Sequence, residues 1–368
     1  MKNEIKLIDC TLRDGGYYNS WDFSTELIND YMQVMSNLPI DYVELGFRSL
    51  KLNSFKGGCA YTTDKFIKLL SIPNGLKLGV MINASEILNH DQGVSFALSQ
   101  LFKSAKESPL TLVRIACHIH EFENALPGCL WLKEMGYEVG INIMQISESS
   151  SEEIEKMAYL ADKYSIDVLY FADSLGSMCP QNISEIINNL RSHWKGPLGI
   201  HTHDNMGRAM ANSLQAISDG VTWVDSTVTG MGRGPGNLQT EYLVIEISKM
   251  KQIPINIKPL LSIIKKYFKP MQKKYEWGMN PYYYLSGKNA IHPTFVQVML
   301  SDPRYDEEDI LTVINNLSVS GGQKFNFQTL ESGRNFYKDK PSGSWSPLNL
   351  IQSREVLIIG AGISANQH

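Results

Sequence analysis

Short apolar runs alternate with segments of helical periodicity over the first two thirds of this chain, and that alternation narrows the choice of fold. The runs are too hydrophobic to face water, which predicts a parallel sheet covered by helices. Eight such units in about 250 residues have the size of a (β/α)8 barrel, or TIM barrel. The predicted strands are residues 5–10, 41–47, 76–82, 110–117, 138–146, 167–172, 197–203 and 222–228.

A doubly wound open sheet is the competing topology for such an alternation. It usually has fewer strands, and its nucleotide-binding form carries the pattern GxGxxG directly after the first strand. Here the first strand leads into DCTLRDGG, residues 9–16, which lacks that pattern. We therefore predict an α/β protein with the barrel topology.

The sequence pattern changes near residue 255, which predicts a domain boundary there. Residues 1–255 are the predicted barrel, and residues 256–355 are a helical C-terminal extension that looks helical from 260 as far as Pro270. Residues 356–368 are an apolar run followed by GAGIS, which resembles the start of a nucleotide-binding βα unit. Either this segment is a terminal strand, or the chain is the front part of a longer protein with a fused nucleotide-binding domain.

The composition argues against several functional classes. The formal net charge is −4 and no basic patch stands out, so we expect no nucleic-acid binding. No segment approaches the roughly 20 apolar residues of a membrane span, and the N-terminus lacks the apolar run of a signal peptide. The five cysteines show no CxxC pairing, which favours reduced thiols over disulfides. These features predict a cytoplasmic protein.

Polar residues accumulate where the predicted strands end, and in this barrel type those ends form the active-site mouth. Burying so many charged groups is costly unless they are paired or bind a metal, so the set as a whole favours a functional site. Single members have plainer explanations: Asp9 or Asp225 could bond to neighbouring backbone, and Glu44 could pair with Arg114. The set comprises Asp9, Arg13, Asp14, Glu44, Arg48, Arg114, His118, His120, Asn142, Gln145, Asp173, Ser174, His201, His203, Asp225 and Thr227.

The stretch HTHDN, residues 201–205, places two histidines one residue apart. A strand repeats every two residues, so His201 and His203 point to the same side and can share a metal ion. Asp14 is the best candidate for an oxygen ligand, because the first, seventh and eighth strands of a closed barrel are close, and Asn237 is a possible fourth ligand. Such a set suits Mn²⁺ or Mg²⁺ first, and also Co²⁺ or Zn²⁺. The alternative is a hydrogen-bonded histidine pair on an ordinary strand.

Five motifs stand in one order along the chain: DCTLRDG (9–15), VRIACHIHEFENA (113–125), FADSLG (171–176), HTHDN (201–205) and VDSTVTGMGRGPGN (224–237). Together they resemble the metal-dependent lyase barrels, a group that includes hydroxymethylglutaryl-CoA lyase, isopropylmalate and homocitrate synthases, and 4-hydroxy-2-oxovalerate aldolase. The resemblance is strongest to the last and covers about residues 5–250. The segment GMNPYYYL (278–285) also resembles the region where that aldolase has a substrate-contacting tyrosine.

The resemblance implies a role for individual residues. Asp14, His201 and His203 would be the metal ligands. Arg13 would stabilise an enolate, and Ser174 would contact the substrate carboxylate. The residues expected to bind substrate are Arg13, Asp14, Glu44, Ser174, His201 and Tyr282.

One position departs from the aldolase pattern. The aldolases have a catalytic histidine three residues after the motif aspartate, where this chain has Tyr17. A tyrosine has an ordinary pKa near 10, so it is a poor base at neutral pH unless that pKa is depressed. Tyr17 could act as the base or simply pack over the barrel mouth. Otherwise the substrate differs, or another group is the base: His118, first among them, His120, Tyr282, Tyr283 or Tyr284.

These residues predict a metal-dependent aldolase or lyase that makes or breaks a carbon–carbon bond of a 2-oxo acid. A 2-oxo acid can chelate a metal, and the metal and a guanidinium would then lie where negative charge develops as the bond breaks. The alternatives are a Claisen-type acyl-CoA condensing enzyme, a hydroxymethylglutaryl-CoA lyase or, from another class, a non-catalytic barrel scaffold. The resemblance adds an aldehyde dehydrogenase as a possible partner. We also predict a homo-oligomer.

Overall fold

Eight parallel strands form a closed barrel in the computed structural model, which describes residues 5–51, 55–164, 166–334 and 352–355. Each strand pairs with the next in sequence, and the last pairs with the first. The predicted (β/α)8 barrel is therefore confirmed. The strands are β1 (Lys6–Asp9), β2 (Tyr42–Phe47), β3 (Lys77–Asn83), β4 (Leu112–Cys117), β5 (Glu138–Ile143), β6 (Val168–Asp173), β7 (Leu198–Thr202) and β8 (Trp223–Ser226).

Helices surround the barrel, because the connecting segments carry apolar residues at helical spacing. The first long helix follows Ser24, whose side chain accepts a hydrogen bond from the backbone N–H of Leu27. None of the helices in the described part of the chain is long and apolar enough to cross a membrane. The helices are α1 (Thr11–Asp14), α2 (Thr25–Met35), α3 (Asp64–Ile67), α4 (Ala84–Leu88), α5 (Val94–Leu101), α6 (Phe122–Glu134), α7 (Ser151–Asp162), α8 (Pro180–Arg191), α9 (Ala209–Ser218), α10 (Thr240–Lys251), α11 (Lys258–Ile263), α12 (Lys269–Tyr275), α13 (Pro281–Lys288), α14 (Thr294–Ser301), α15 (Glu307–Ser320) and α16 (Phe327–Arg334).

All eight predicted strands are present, and several end earlier than predicted. The fifth was predicted to end at residue 146, whereas β5 ends at Ile143, and β8 ends at Ser226 rather than residue 228. Because β7 ends at Thr202, His203 lies just beyond the strand, in an isolated antiparallel bridge to Asn237. His203 thus leaves the regular sheet, whereas His201 and Asp225 lie within β7 and β8.

The prediction that a helix stops at Pro270 is wrong. Helical backbone continues from α11 through a π-helical turn, Ile264–Phe268, into α12. Pro270 lies in the first turn of α12, directly after this π turn, so helical backbone passes through the proline. The wider π turn also places Phe268 inward, with its ring 6.5 Å from the ring of Tyr31 on α2.

Packing divides the described helices of the extension into two groups, and their presence confirms the predicted helical extension. Residues as far as Trp277 belong to the apolar cluster between the barrel and its helices. A second cluster, around Phe295 and Ile314, lies among α13–α16. Thus α11 and α12 pack with the barrel, although the predicted boundary lies at residue 255, and the domain boundaries stay predictions. The segment 356–368, with its predicted strand, lies outside the described residues.

Candidate active site

The turn after β1 is fixed by the buried carboxylate of Asp9. Oδ1 of Asp9 accepts the backbone N–H of Thr11 at 2.9 Å, and Oδ2 accepts the hydroxyl of Thr240 at 2.6 Å. The hydroxyl oxygen of Thr11 in turn accepts the backbone N–H of Val228, 2.8 Å away, beyond β8. The plainer explanation for Asp9, hydrogen bonding to neighbouring backbone, therefore fits the structure. Asp9 and Thr11 together connect the loops after β1 and β8. These bonds set where α1 presents Asp14.

Asp14, His201 and His203 meet at the C-terminal end of the barrel. One ligand atom from each lies within 4.8 Å of the other two, and all three side chains are buried. They meet because β8 pairs with both β1 and β7, so the ends of these three strands are adjacent. The structure thus brings together the three residues that the sequence predicts as metal ligands.

Hydrogen bonds turn both imidazoles toward the same point. Nδ1 of His201 lies 3.0 Å from Oδ2 of Asp225, and Nδ1 of His203 lies 2.9 Å from the backbone oxygen of Asp173. Since both oxygens act as acceptors, each Nδ1 carries the hydrogen, and in the neutral rings each Nε2 presents a lone pair. This is the arrangement that metal-binding histidines adopt in proteins.

Among the described residues, two buried atoms at this point have no hydrogen-bond partner. Nε2 of His201 lies 3.0 Å from Oδ2 of Asp14 without forming a hydrogen bond. Oδ1 of Asn237 is also unsatisfied, while its Nδ2 donates to Asp14. Adjacent ligands of an octahedral ion, each about 2.1 Å from it, lie about 3.0 Å apart. The donor set of one carboxylate, two imidazoles and an amide oxygen therefore fits a divalent cation.

A second group of possible ligands, Cys10, His201 and Asp225, overlaps the first. Its acceptors are already bonded to the guanidinium of Arg114, which lies 3.2 Å from Sγ of Cys10 and 2.7 Å from Oδ2 of Asp225. A fixed positive charge in this position opposes the binding of a cation. The metal-binding geometry thus belongs to the Asp14 group.

Arg13 is held by a buried network of charges. Its Nε donates to Oε2 of Glu44 at 2.7 Å, and its Nη1 donates to Asp14. Arg114 bonds to both oxygens of Glu44 at 2.7 Å and to both oxygens of Asp225 at 2.7 and 3.0 Å. Nη2 of Arg13 is buried without a hydrogen-bond partner. The network therefore fixes the guanidinium and leaves one nitrogen free to bind another group.

Glu44 lies behind Arg13. The side chain is fully buried, and both of its oxygens bond to the two arginines. Glu44 thus pairs with Arg114, as the plainer explanation predicts, and it also orients Arg13. Contact between Glu44 and substrate stays a prediction.

The same charges control the ionisation of the carboxylates. Burial acts to raise the pKa of Asp14, but Arg13 and His201 hold that pKa well below its ordinary value. Burial likewise opposes the ionisation of Asp225, yet Arg114 and His201 lower its pKa to about 2. Burial raises the pKa of Asp173 to about 7. Asp14 and Asp225 are therefore ionised at neutral pH.

Ser174 follows β6 and His118 follows β4, the two strands on either side of β5. The hydroxyl of buried Ser174 accepts the backbone N–H of Gln145 at 2.9 Å, and the Gln145 amide donates to Gln323 of the extension. His118 is half-buried and stacks on His120, with ring centroids 5.7 Å apart. Burial lowers the pKa of His118. A cavity of about 420 Å³ adjoins these side chains and is lined by His118, Ile119, His120, Met144, Gln145, Glu148, Ser320, Gly321, Gln323 and Lys324.

The two tyrosines in the predicted site have different surroundings. The side chain of Tyr17 is 43% exposed and packs edge-on against the ring of Trp21. Burial of the rest raises its pKa, whereas a base would need a lowered one. Tyr282 packs against the second apolar cluster. The neighbouring Tyr283 approaches the mouth, since a Cβ on Gly234 would lie 3.0 Å from its Cε1.

Sequence reasoning missed two side chains at the mouth, Arg233 and His292. Arg233 stands in the glycine-rich loop, and its guanidinium lies 5.7 Å from the ring centroid of Tyr17. His292 comes from the extension, and its pKa is lowered by burial and by the charges of Arg233, His203 and His118. The arginine could have been found as the one charged residue in GMGRGPGN. No local pattern marks the histidine.

Comparison with known proteins agrees with this geometry. The HMGL-like family model matches residues 110–265. A 4-hydroxy-2-oxovalerate aldolase of Pelotomaculum thermopropionicum is 28% identical over 87% of this chain and 93% of its own length. One from Geobacillus genomosp. 3 is 30% identical over 68% of this chain and 72% of its own length.

A solved structure extends the similarity. The N-terminal domain of a candidate aldolase from Bacteroides vulgatus superposes with a TM-score of 0.72 at 32% identity, over 83% of this chain and 99% of that one. The predicted class, a carbon–carbon lyase, is thereby confirmed. The chain belongs to the family of the 4-hydroxy-2-oxovalerate aldolases, within the HMGL-like proteins.

Proposed function

We propose that the protein is a divalent-metal-dependent aldolase that cleaves or forms the C3–C4 bond of a 4-hydroxy-2-oxo acid, with pyruvate and an aldehyde as the other side of the reaction. One observation carries the proposal: His201 Nε2, which has no hydrogen-bond partner among the described residues, faces Asp14 Oδ2 at 3.0 Å, beside the free Nη2 of Arg13. A cation and a guanidinium so placed suit charge that develops on a keto oxygen.

Asp14, His201 and His203 would hold the ion, with Asn237 as a fourth ligand through Oδ1. When bound, the ion supplies positive charge that polarises the keto group of the substrate and fixes its orientation. Mn²⁺ or Mg²⁺ suits this mixed oxygen and nitrogen set best, and Co²⁺ or Zn²⁺ also suits it.

Arg13 stabilises the transition state. As the C3–C4 bond breaks, its electron pair moves into an enolate and negative charge collects on the former keto oxygen. The guanidinium stays charged at any pH of interest, and Glu44 and Arg114 hold it in place, so no reorganisation is needed at that moment. Nη2 is the atom that binds the oxygen.

The reaction also needs a base. The 4-hydroxyl must lose its proton as the bond breaks, and C3 must gain one to give pyruvate. We assign the first step to His118, because its lowered pKa keeps the imidazole neutral at pH 7. Tyr17, whose pKa is raised, is the alternative.

Further substrate contacts are assigned to the remaining predicted residues. Ser174 would donate its hydroxyl to the carboxylate of the 2-oxo acid. Tyr282 would act from the extension, together with Tyr283, which lies against the glycine-rich loop. Asp14 and His201 would contact the substrate through the ion, and Glu44 through Arg13.

The proposal extends to the setting of the reaction. We infer a cytoplasmic homo-oligomer that passes its aldehyde to an aldehyde dehydrogenase. Support comes from the resemblance. Co-elution of the protein with such a dehydrogenase on size-exclusion chromatography tests the partnership.

Solvent exchange tests the chemistry directly. The protein is incubated with Mn²⁺ and pyruvate in D₂O, and loss of the methyl proton signal is followed by NMR. We expect exchange with Mn²⁺ and none with EDTA, and release of pyruvate from 4-hydroxy-2-oxovalerate. Activity on acyl-CoA substrates without any pyruvate exchange would overturn the proposal in favour of a Claisen-type enzyme.

A further inference from the structure

We propose that Arg233 and His292 form a subsite for a second anionic group of the substrate, a carboxylate or phosphate at the end remote from the 2-oxo acid. The inference deepens the proposed function and rests on it. It names the class of aldehyde that the enzyme joins to pyruvate or releases: an aldehyde that bears a negative charge.

The position of Arg233 follows from its loop. The loop runs from Gly230 to Asn237, so it starts beyond β8 and ends at the candidate metal ligand. The hydroxyl of Tyr18 donates to the backbone oxygen of Gly234 at 3.2 Å, and the guanidinium of Arg233 lies 5.7 Å from the ring centroid of Tyr17. Arg233 therefore stands at the mouth, between Asn237 and the aromatic residues after α1.

Arg233 has no anionic partner among the described residues. Its Nε is buried and makes no hydrogen bond, although the rest of the side chain is only partly buried. The acidic side chains of the metal site are already engaged, Asp14 by Arg13 and Asn237, and Asp225 by Arg114. A buried donor without a partner is unfavourable, and an anionic ligand would satisfy it with a charge-assisted hydrogen bond.

His292 offers a second donor from the extension. Its Nδ1 accepts the backbone N–H of Thr294 at 3.3 Å, so in the neutral ring Nε2 carries the hydrogen. The backbone N–H of His292 donates to the oxygen of Gly322 at 2.7 Å, which fixes the residue. The next residue, Pro293, lies against the loop, since a Cβ on Gly234 would be 3.2 Å from its Cβ. The backbone of His292 and the backbone of Arg233 thus lie on either side of this contact between Pro293 and Gly234.

The surroundings favour an anion over a neutral group. Burial and, after it, the charge of Arg233 lower the pKa of His292, so these two side chains share one electrostatic environment. A neutral aldehyde would leave Arg233 unpaired, whereas an anionic one would pair with it and also accept from His292.

Matched aldehydes test the subsite. The protein with Mn²⁺ and pyruvate is given succinic semialdehyde or pentanal, and glyceraldehyde 3-phosphate or glyceraldehyde, and kcat/KM is measured for each. We expect at least one anionic aldehyde to be preferred over its neutral match by tenfold or more, which corresponds to about one well-formed charged contact. The two pairs distinguish a carboxylate from a phosphate.

Variants locate the preference. Arg233→Gln should lower the anionic-to-neutral ratio at least about tenfold. His292→Asn keeps an acceptor for the Thr294 N–H and loses the Nε2 donor, so it should lower the ratio about threefold. Arg304→Gln is the control, because it removes the same charge from an exposed pair with Asp302 and should leave the ratio unaltered.

Pyruvate exchange, measured in parallel, separates the two proposals. If exchange occurs but no anionic aldehyde is preferred, the subsite inference is overturned and the proposed function stands. The subsite is also overturned if Arg233→Gln slows all four aldehydes equally, because the residue would then bind the shared pyruvate end. Absence of both exchange and aldol addition would overturn both proposals.

Discussion

The barrel mouth has two sides: the charged groups on one are paired with each other, and those on the other are not. On the side of β1, β2, β4 and β8, Glu44, Arg114 and Asp225 form a closed set of buried ion pairs around Arg13. On the side facing the extension, Arg233 and His292 carry donors that no described side chain accepts. A buried charge is tolerated when it is paired, so the first side, which we call the closed side, can be rigid without ligand. The second, which we call the open side, would gain its partners when the proposed ligand binds.

The largest effect is expected from Asp14→Asn, which replaces the candidate carboxylate ligand on the closed side with a neutral amide. Loss of the carboxylate removes a candidate ligand of the ion, so pyruvate exchange should fall by at least about a thousandfold. Exchange is measured by NMR, and Mn²⁺ binding by electron paramagnetic resonance. Asp30→Asn, in an exposed pair with Lys266, is the control. Unchanged Mn²⁺ affinity in D14N would rule out Asp14 as a ligand.

Arg114→Met tests whether the closed side depends on complete pairing. It leaves Glu44 and Asp225 buried with fewer partners, so the free energy of unfolding should fall by about 3–5 kcal/mol in urea denaturation. Arg304→Met, in an exposed ion pair, should change it by about 1 kcal/mol or less. Similar losses in the two variants would mean that the buried network contributes no more than a surface pair.

His118→Asn tests the open side. General-base catalysis predicts a loss in kcat/KM of about a hundredfold at neutral pH. Because burial lowers the pKa of His118, the imidazole accepts a proton only below its ordinary 6.5. Activity of the unaltered protein should therefore persist through pH 6.5 and fall at lower pH, and H118N should lack this acid limb. If H118N keeps both its activity and the limb while Tyr17→Phe loses activity, Tyr17 is the base.

The smallest effect is expected from Asp225→Asn. The carboxylate that accepts the Nδ1 hydrogen of His201 becomes a neutral amide, so the affinity for Mn²⁺ should fall about tenfold. Isothermal titration calorimetry measures this change. A loss as large as that of Asp14→Asn would place Asp225 among the ligands themselves, in the group with Cys10.

The closed side was predictable from sequence because its signals are local. Strand periodicity located β1 and β7, and the spacing of His201 and His203 placed both on one side near the strand end. Closure of an eight-stranded barrel then brings Asp14 to them. The pairing of Glu44 with Arg114 was foreseen as a plain alternative, and that pairing is present.

The open side was not predictable, because it depends on how the extension packs on the barrel. Nothing local to His292 indicates that it reaches the loop at Arg233. The interpretation also favoured Tyr282, although Tyr283 is the tyrosine that meets Gly234, since one residue along a helix turns a side chain by about 100°. The passage of the helix through Pro270 likewise depends on a π turn that propensity does not reveal.

Asp14 and Asn237, which share a hydrogen bond, are 223 positions apart in sequence and flank the junction where the first strand meets the last. An ion bound by Asp14, Asn237 and His201 would link the two ends of the sheet across this junction. A half-barrel fragment lacks the ligands on one side of the junction, so tight ion binding requires the closed barrel. Binding of the ion should then slow the separation of β1 from β8, so the protein with bound ion should unfold more slowly than the protein without it.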